Sequence, residues 1–157
     1  MDETTKAIID RITVRKDEPF KTPNGHTATV FYDCIQLSPN ELARLAAQAV
    51  GHLEHDAFDI AVGLAYAGIF FSAAVAGGRQ VAILQADGEF TGPPLNGKKV
   101  VVVDDVVHSG RRIGGAAERV KASGGIVVGL ACIVDRSNGS VGSKETPLWS
   151  AFQTEML

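Results

Sequence analysis

The sequence predicts an α/β protein built on a doubly wound, mostly parallel sheet. Three observations predict it. Strand-like and helix-like segments alternate along most of the chain, as they do where parallel strands are joined by helical crossovers. Residues 100–103 are four consecutive valines, a β-branched run of the kind buried on both faces of a parallel sheet. The 17 glycines suit loops that bring backbone close to a ligand. A length of 157 residues is that of one domain, taken as residues 1–157.

The elements follow in order. Residues 3–14 read as a helix with Ala7, Ile8 and Ile12 on one face. Residues 17–25 are polar, carry two prolines and read as a loop, and residues 26–33 alternate as a strand. The next helix is well marked: Ser38 caps it, Pro39 suits its first turn, and Glu41 completes a capping box. Leu42, Leu45, Ala46, Ala49, Val50 and Leu53 then recur at helical spacing. Residues 58–62 form a short buried strand, followed by a helix over about 68–76 and a strand at 80–84. Residues 86–98, with three glycines and two prolines, read as a long loop or short hairpin. After the valine strand comes a helix over 111–123, ended by Gly124 and Gly125. Residues 126–134 are the last clear strand. Trp149 and Phe152 lie in a tail without periodicity and are expected to pack onto the domain or a partner.

Composition narrows the function. A net charge of -3 argues against nucleic acid as a partner, because phosphate backbones select basic faces. The start of the chain does not read as a signal peptide, and no stretch approaches the apolar length of a spanning helix, so no membrane partner is expected. Cys34 and Cys132 lack metal-ligand spacing and read as buried thiols of a reducing, cytoplasmic compartment. His52 and His55 follow a helix end with no third ligand in sight.

The chemistry concentrates in residues 100–112, VVVVDDVVHSGRR. The valine strand stops at Asp104 and Asp105. Where a strand ends, both carboxylates can turn to one ligand, and paired acceptors suit the two cis hydroxyls of a ribose. The turn through Ser109 and Gly110 then opens a helix, whose free N–H groups and positive end form an anion site for a phosphate monoester. A diol binder a few residues from a phosphate binder matches ribose 5-phosphate.

This run resembles the phosphoribosyl pyrophosphate signature of type I phosphoribosyltransferases. Leu64, Ala65, Tyr66, Ala67 and Gly68, after Gly63, are similar to that family's pyrophosphate loop. GPPLNGKKV, residues 92–100, resembles the lead-in to the signature strand of the orotate enzymes. Pro19-Phe20, Gly25 and Phe31-Tyr32-Asp33 are similar to their N-terminal hood, and Asp135-Arg136 to a pair whose arginine contacts the base. The resemblance implies the type I fold with a small N-terminal hood and transfer of ribose 5-phosphate to a pyrimidine-type base such as orotate. Mg²⁺ would be carried on the diphosphate with no direct protein ligand, and the protein would be a homodimer. Asp104 and Asp105 would be the catalytic pair. His108, Ser109, Gly110, Arg111 and Arg112 would hold the 5′-phosphate, residues 64–68 the diphosphate, and Arg136 the base. His108 would reach either the base pocket or the phosphate, or else stand in solvent.

The chain departs from the family where cations are expected. Ala67 and Pro23 stand at positions where the orotate enzymes have loop lysines. Residues 84–90, LQADGEF, replace a longer lysine-bearing mobile loop. Each such contact to a phosphate is worth about 1.5–3 kcal/mol. Lys98 and Lys99 lie at the far end of the signature strand, and Arg111 and Arg112 are expected beside the 5′-phosphate instead of the diphosphate. These losses keep a second reading open: a non-catalytic, regulatory binder of phosphoribosyl pyrophosphate or a nucleotide monophosphate.

Overall fold

A computed structural model describes residues 2–21 and 27–154. Helix α1 (Glu3–Ile12) opens on Asp2, whose carboxylate accepts the Thr5 N–H at 2.7 Å and so satisfies one donor that a helix start leaves open. Ile8, Ile9 and Ile12 form its buried face. Ala7, expected there, is exposed, because the bulkier Ile9 takes the core and turns the stripe away from it.

Strands β1 (Thr13–Lys21) and β2 (Thr27–Tyr32) pair antiparallel as a separate two-stranded sheet. This corrects the expected loop: residues 17–21 belong to β1. Pro19 falls where the register shifts between Arg15 and Phe20, an irregularity in which its missing N–H interrupts no regular ladder. Phe20 and Phe31 pack edge to face at 5.6 Å across the pair. Pro23, Gly25 and His26 lie outside the described residues. Helix α2 (Pro39–Val50) carries the expected capping box, with the Glu41 N–H donating to Ser38 Oγ at 3.2 Å and the Ser38 N–H to Glu41 Oε1 at 3.0 Å.

The main sheet holds β3 (Ile60–Leu64), β4 (Gln80–Leu84), β5 (Phe90–Thr91), β6 (Lys99–Val103), β7 (Val106–Val107), β8 (Ile126–Asp135) and β9 (Leu148–Gln153). Its order is β5-β4-β3-β6-β8-β7, with β9 also paired to β8. Every pairing is parallel except β4 with β5, which close a hairpin. Helices α3 (Ala67–Ala76) and α4 (Arg111–Ala122) are the crossovers that flank the sheet. Alternation along β6 divides the core. Val101 and Val103 join the cluster under α1, α2 and α3, while Val100 and Val102 join the one under α4.

The chain does not end its sheet at residue 134. Residues 148–153 form β9, a strand whose sequence LWSAFQ has a single fully buried side chain, Ala151, and so no period-2 signal. It is set by packing: a Cβ on Gly129 of β8 would come within 2.2 Å of the Trp149 ring, so the indole lies flat on that glycine. Trp149 and Phe152 pack against the core, as expected of the tail, and His52 stands edge to face with Trp149 at 5.8 Å.

Candidate active site

The C-terminal ends of β3 and β6 lie side by side, pairing through Gly63 and Val103. Each is followed by a turn and a helix start, so the two turns meet above one sheet edge, where doubly wound proteins bind their ligands. The meeting is close. A Cβ on Gly68, in the first turn of α3, would sit 3.0 Å from the Val103 carbonyl oxygen, 3.2 Å from Asp104 Cα and 3.4 Å from Asp104 Oδ1. Only glycine lets that turn lie against the acid pair.

The two acids differ. Asp104 is 2% exposed, and its Oδ1 accepts the Asp105 N–H at 2.9 Å. Asp105 is half-buried, and its Oδ1 accepts the Val106 N–H at 2.8 Å. Burial first, and then the charge of Asp105, raises the Asp104 carboxyl to about 8, with Arg112 pulling the other way. Without ligand, Asp104 therefore holds its proton far more tightly than an ordinary carboxyl.

Gly110 caps α4 at φ 84°, a left-handed conformation that glycine adopts without strain. The Arg111 N–H donates to Ser109 Oγ at 3.3 Å. Ser109 and Arg111 are exposed. His108 is 5% exposed, which removes the reading of it as a solvated loop histidine. In the turn after β3, the Ala65 N–H is committed to the Leu84 carbonyl at 3.1 Å. The donors it offers a ligand are those of Tyr66, Ala67 and Gly68, since the first turn of a helix has no intrahelical acceptor for them.

Arg112 differs from expectation in where it reaches. From the first turn of α4 its Nη2 donates to the Ala65 carbonyl at 2.8 Å and stands 3.9 Å from Asp104 Oδ1. It thus ties the two turns together instead of staying beside its own. Lys99 lies at the opposite end of β6, as expected, its N–H on Asp59 Oδ2 at 2.8 Å and its ammonium on the Asp56 carbonyl. The short segment after β4 is a tight turn closing from Gln85 to Glu89, and Arg119 of α4 holds its Gly88 carbonyl through Nε and Nη2 at 3.0 and 2.7 Å.

Arg136 follows the end of β8 and is 3% exposed. Its Nη1 donates to the Val30 carbonyl at 3.0 Å, and its guanidinium lies 5.6 Å over the Tyr32 ring. Burial lowers its pKa. Its Nε is buried with no acceptor among the described residues. Beside it Asp135 accepts from the Ser137 N–H and hydroxyl at 2.8 and 2.6 Å. Two of these contacts were not foreseen, Arg112 to Ala65 and Arg136 to Val30. Each spans distant segments and leaves no local pattern.

Residues 87–151 match the phosphoribosyl transferase domain model. The chain is 31% identical over 129 residues to the orotate phosphoribosyltransferase of Desulforamulus reducens, covering 76% of this chain and 68% of that protein. It is 28% identical over 133 residues to that of Chlorobium phaeobacteroides, covering 78% and 68%. Among solved structures, orotate phosphoribosyltransferase from Aeropyrum pernix superposes with a TM-score of 0.76 at 22% identity, covering 95% and 93% of the two chains. The Mycobacterium tuberculosis enzyme in complex with inorganic phosphate gives 0.74 at 20%, covering 96% and 94%. A catalogue of shared folds would stop at the sheet, but the sequence identities extend across most of both chains, and on them the chain belongs to the phosphoribosyltransferase family, in its orotate phosphoribosyltransferase branch.

Proposed function

We propose that this protein transfers ribose 5-phosphate from phosphoribosyl pyrophosphate to a pyrimidine-type base such as orotate. The observation that carries the proposal is the approach of Gly68 to Asp104, which brings a turn of backbone donors against a carboxylate pair. Asp104 and Asp105 hold the ribose hydroxyls. The backbone from His108 to Arg112 holds the 5′-phosphate at the start of α4. The donors of residues 66–68 face the diphosphate, fixed in place before the reaction. Arg136, whose buried Nε has no acceptor among the described residues, faces the base.

In the transfer, a lone pair on the base nitrogen forms the bond to the anomeric carbon. The C–O bond to the diphosphate breaks with its electrons on oxygen, and the base nitrogen releases its proton to solvent. Positive charge develops on the sugar as the leaving group departs, and a positive neighbour favours the ionised form of Asp104.

The donor set suits a magnesium ion that arrives with substrate. Among the described residues no group of three or more His, Cys, Asp or Glu side chains could hold a metal. Asp104 and Asp105 are taken by the ribose hydroxyls, so Mg²⁺ would be held by the diphosphate oxygens and retained waters. When bound, the ion neutralises charge on the departing diphosphate.

The assembly is proposed as a homodimer formed on α3. Every residue of that helix except Ser72 is apolar or glycine, and a helix apolar on all sides is normally covered. Here Tyr66 at its N-cap and Phe70 within it stand 76% and 54% exposed. No helix among the described residues is long and apolar enough to cross a membrane, and Cys34 and Cys132 are free and buried. Free thiols suit a reducing compartment such as the cytoplasm, where the protein is placed in this reading as a single domain.

The second reading, a non-catalytic binder, is favoured by the Arg119 contact that pins the turn at 85–89 to α4. Exchange of labelled pyrophosphate into phosphoribosyl pyrophosphate in the presence of orotate and Mg²⁺ decides between the two. Exchange supports the transferase. Its absence with each pyrimidine base, alongside tight nucleotide binding, leaves the binder.

A further inference from the structure

We propose that Arg112 is the side-chain cation that binds the diphosphate, a role distinct from the 5′-phosphate contact that its place in the sequence suggests. The inference rests on the phosphoribosyl reading of the site.

A cavity of about 330 Å³ opens between the end of β3, the turn after β4 and the inner face of α4. Leu64 and Ala65 line one side of it, and Arg112 and Arg119 are the two cations in its wall. The two arginines are not equivalent. Arg119 is spent on holding the Gly88 carbonyl through two of its nitrogens. Arg112 makes one hydrogen bond among the described residues, to the Ala65 carbonyl. A guanidinium has five N–H donors in a planar fork, so most of this fork is left for an anion at the same turn.

The position is electrostatically informative. Leu64, Ala65, Tyr66, Ala67 and Gly68 bring no cationic side chain, so the turn offers a diphosphate only N–H dipoles. The Ala65 carbonyl would repel it. By capping that oxygen at 2.8 Å, Arg112 cancels the repulsion and places a full positive charge beside the donors of Tyr66, Ala67 and Gly68. The long 3.9 Å separation from Asp104 leaves the charge poorly neutralised. Lys99 is bound at the far end of β6, and Arg136 lies buried under β2.

The test compares two ligands that share the 5′-phosphate but differ in the diphosphate. Affinities for phosphoribosyl pyrophosphate and for ribose 5-phosphate are measured by calorimetry on the wild type, Arg112→Ser and Arg112→Lys. Loss of a charge-assisted contact predicts roughly 10- to 100-fold weaker binding of phosphoribosyl pyrophosphate by Arg112→Ser. Ribose 5-phosphate should change less than about threefold, and Arg112→Lys should recover part of the loss, because it keeps the charge but not the fork. Equal weakening of both ligands, or no change in either, overturns the assignment of Arg112 while leaving the phosphoribosyl site standing. A wild type that binds neither ligand overturns the site itself, and this inference with it.

Discussion

Arg136 and Val30 are joined by a hydrogen bond of 3.0 Å from Nη1 to the carbonyl oxygen, across 106 positions of sequence. It fastens the two-stranded β1–β2 sheet to the C-terminal end of β8, so the residue proposed to meet the base also holds the cover over it. Replacing Arg136 by Gln should leave the buried Val30 carbonyl without its donor, at a cost of about 1–3 kcal/mol. Urea melts should show that loss, together with weaker binding of orotate. A variant as stable as the wild type would mean that the hood is anchored elsewhere.

Gly68→Ala tests the contact between the turns. The added methyl would meet the Val103 carbonyl oxygen at 3.0 Å and Asp104 Cα at 3.2 Å, and neither is the end of a flexible side chain. Displacing α3 from the acid pair should cost about 1–3 kcal/mol. Affinity for phosphoribosyl pyrophosphate should fall by more than affinity for ribose 5-phosphate, measured on the same folded sample.

Asp104 makes stability depend on pH. Its folded pKa of about 8 lies above the ordinary 3.8, so the folded protein binds the proton more tightly than the unfolded chain does. The stabilisation is complete below about pH 4 and is lost as pH rises towards 8, with a slope of at most about 1.4 kcal/mol per pH unit. Chemical unfolding of the ligand-free protein across this range should show stability falling with pH, and Asp104→Asn should flatten the curve. An unchanged slope in the variant would place the effect on another group.

The exposed face of α3 predicts the assembly. Tyr66→Ser with Phe70→Ser removes two exposed aromatic side chains, so the subunit should keep its melting temperature when monomeric. Light scattering should show a dimer for the wild type at micromolar concentration and a monomer for the double variant. A monomeric wild type would remove the proposal.

Much of this was legible because the relevant signals are local. The capping box of Ser38 and Glu41, the valine run of β6 and the glycines that end α4 each depend on neighbours within a few positions. Residues 17–21 were misjudged because a proline usually marks a loop, whereas Pro19 sits at a shift in a strand pair. Strand β9 was missed because an edge strand with one buried side chain carries no alternation, and Gly129 explains Trp149 only once β8 and β9 lie together. In the site, the acid pair and the helix start could be read from residues 104–112. The reach of Arg112 to Ala65 crosses 47 positions, and its direction is set by how α4 packs. Sequence alone placed that charge beside its own turn, whereas the guanidinium lies on the Ala65 carbonyl.

The most direct measurement is calorimetric titration of ribose 5-phosphate into the wild type and into Asp104→Asn with Asp105→Asn. The account predicts a saturable isotherm for the wild type and none for the double variant, with both proteins unfolding cooperatively. Equal affinity in the two would contradict the assignment of the sugar to this acid pair.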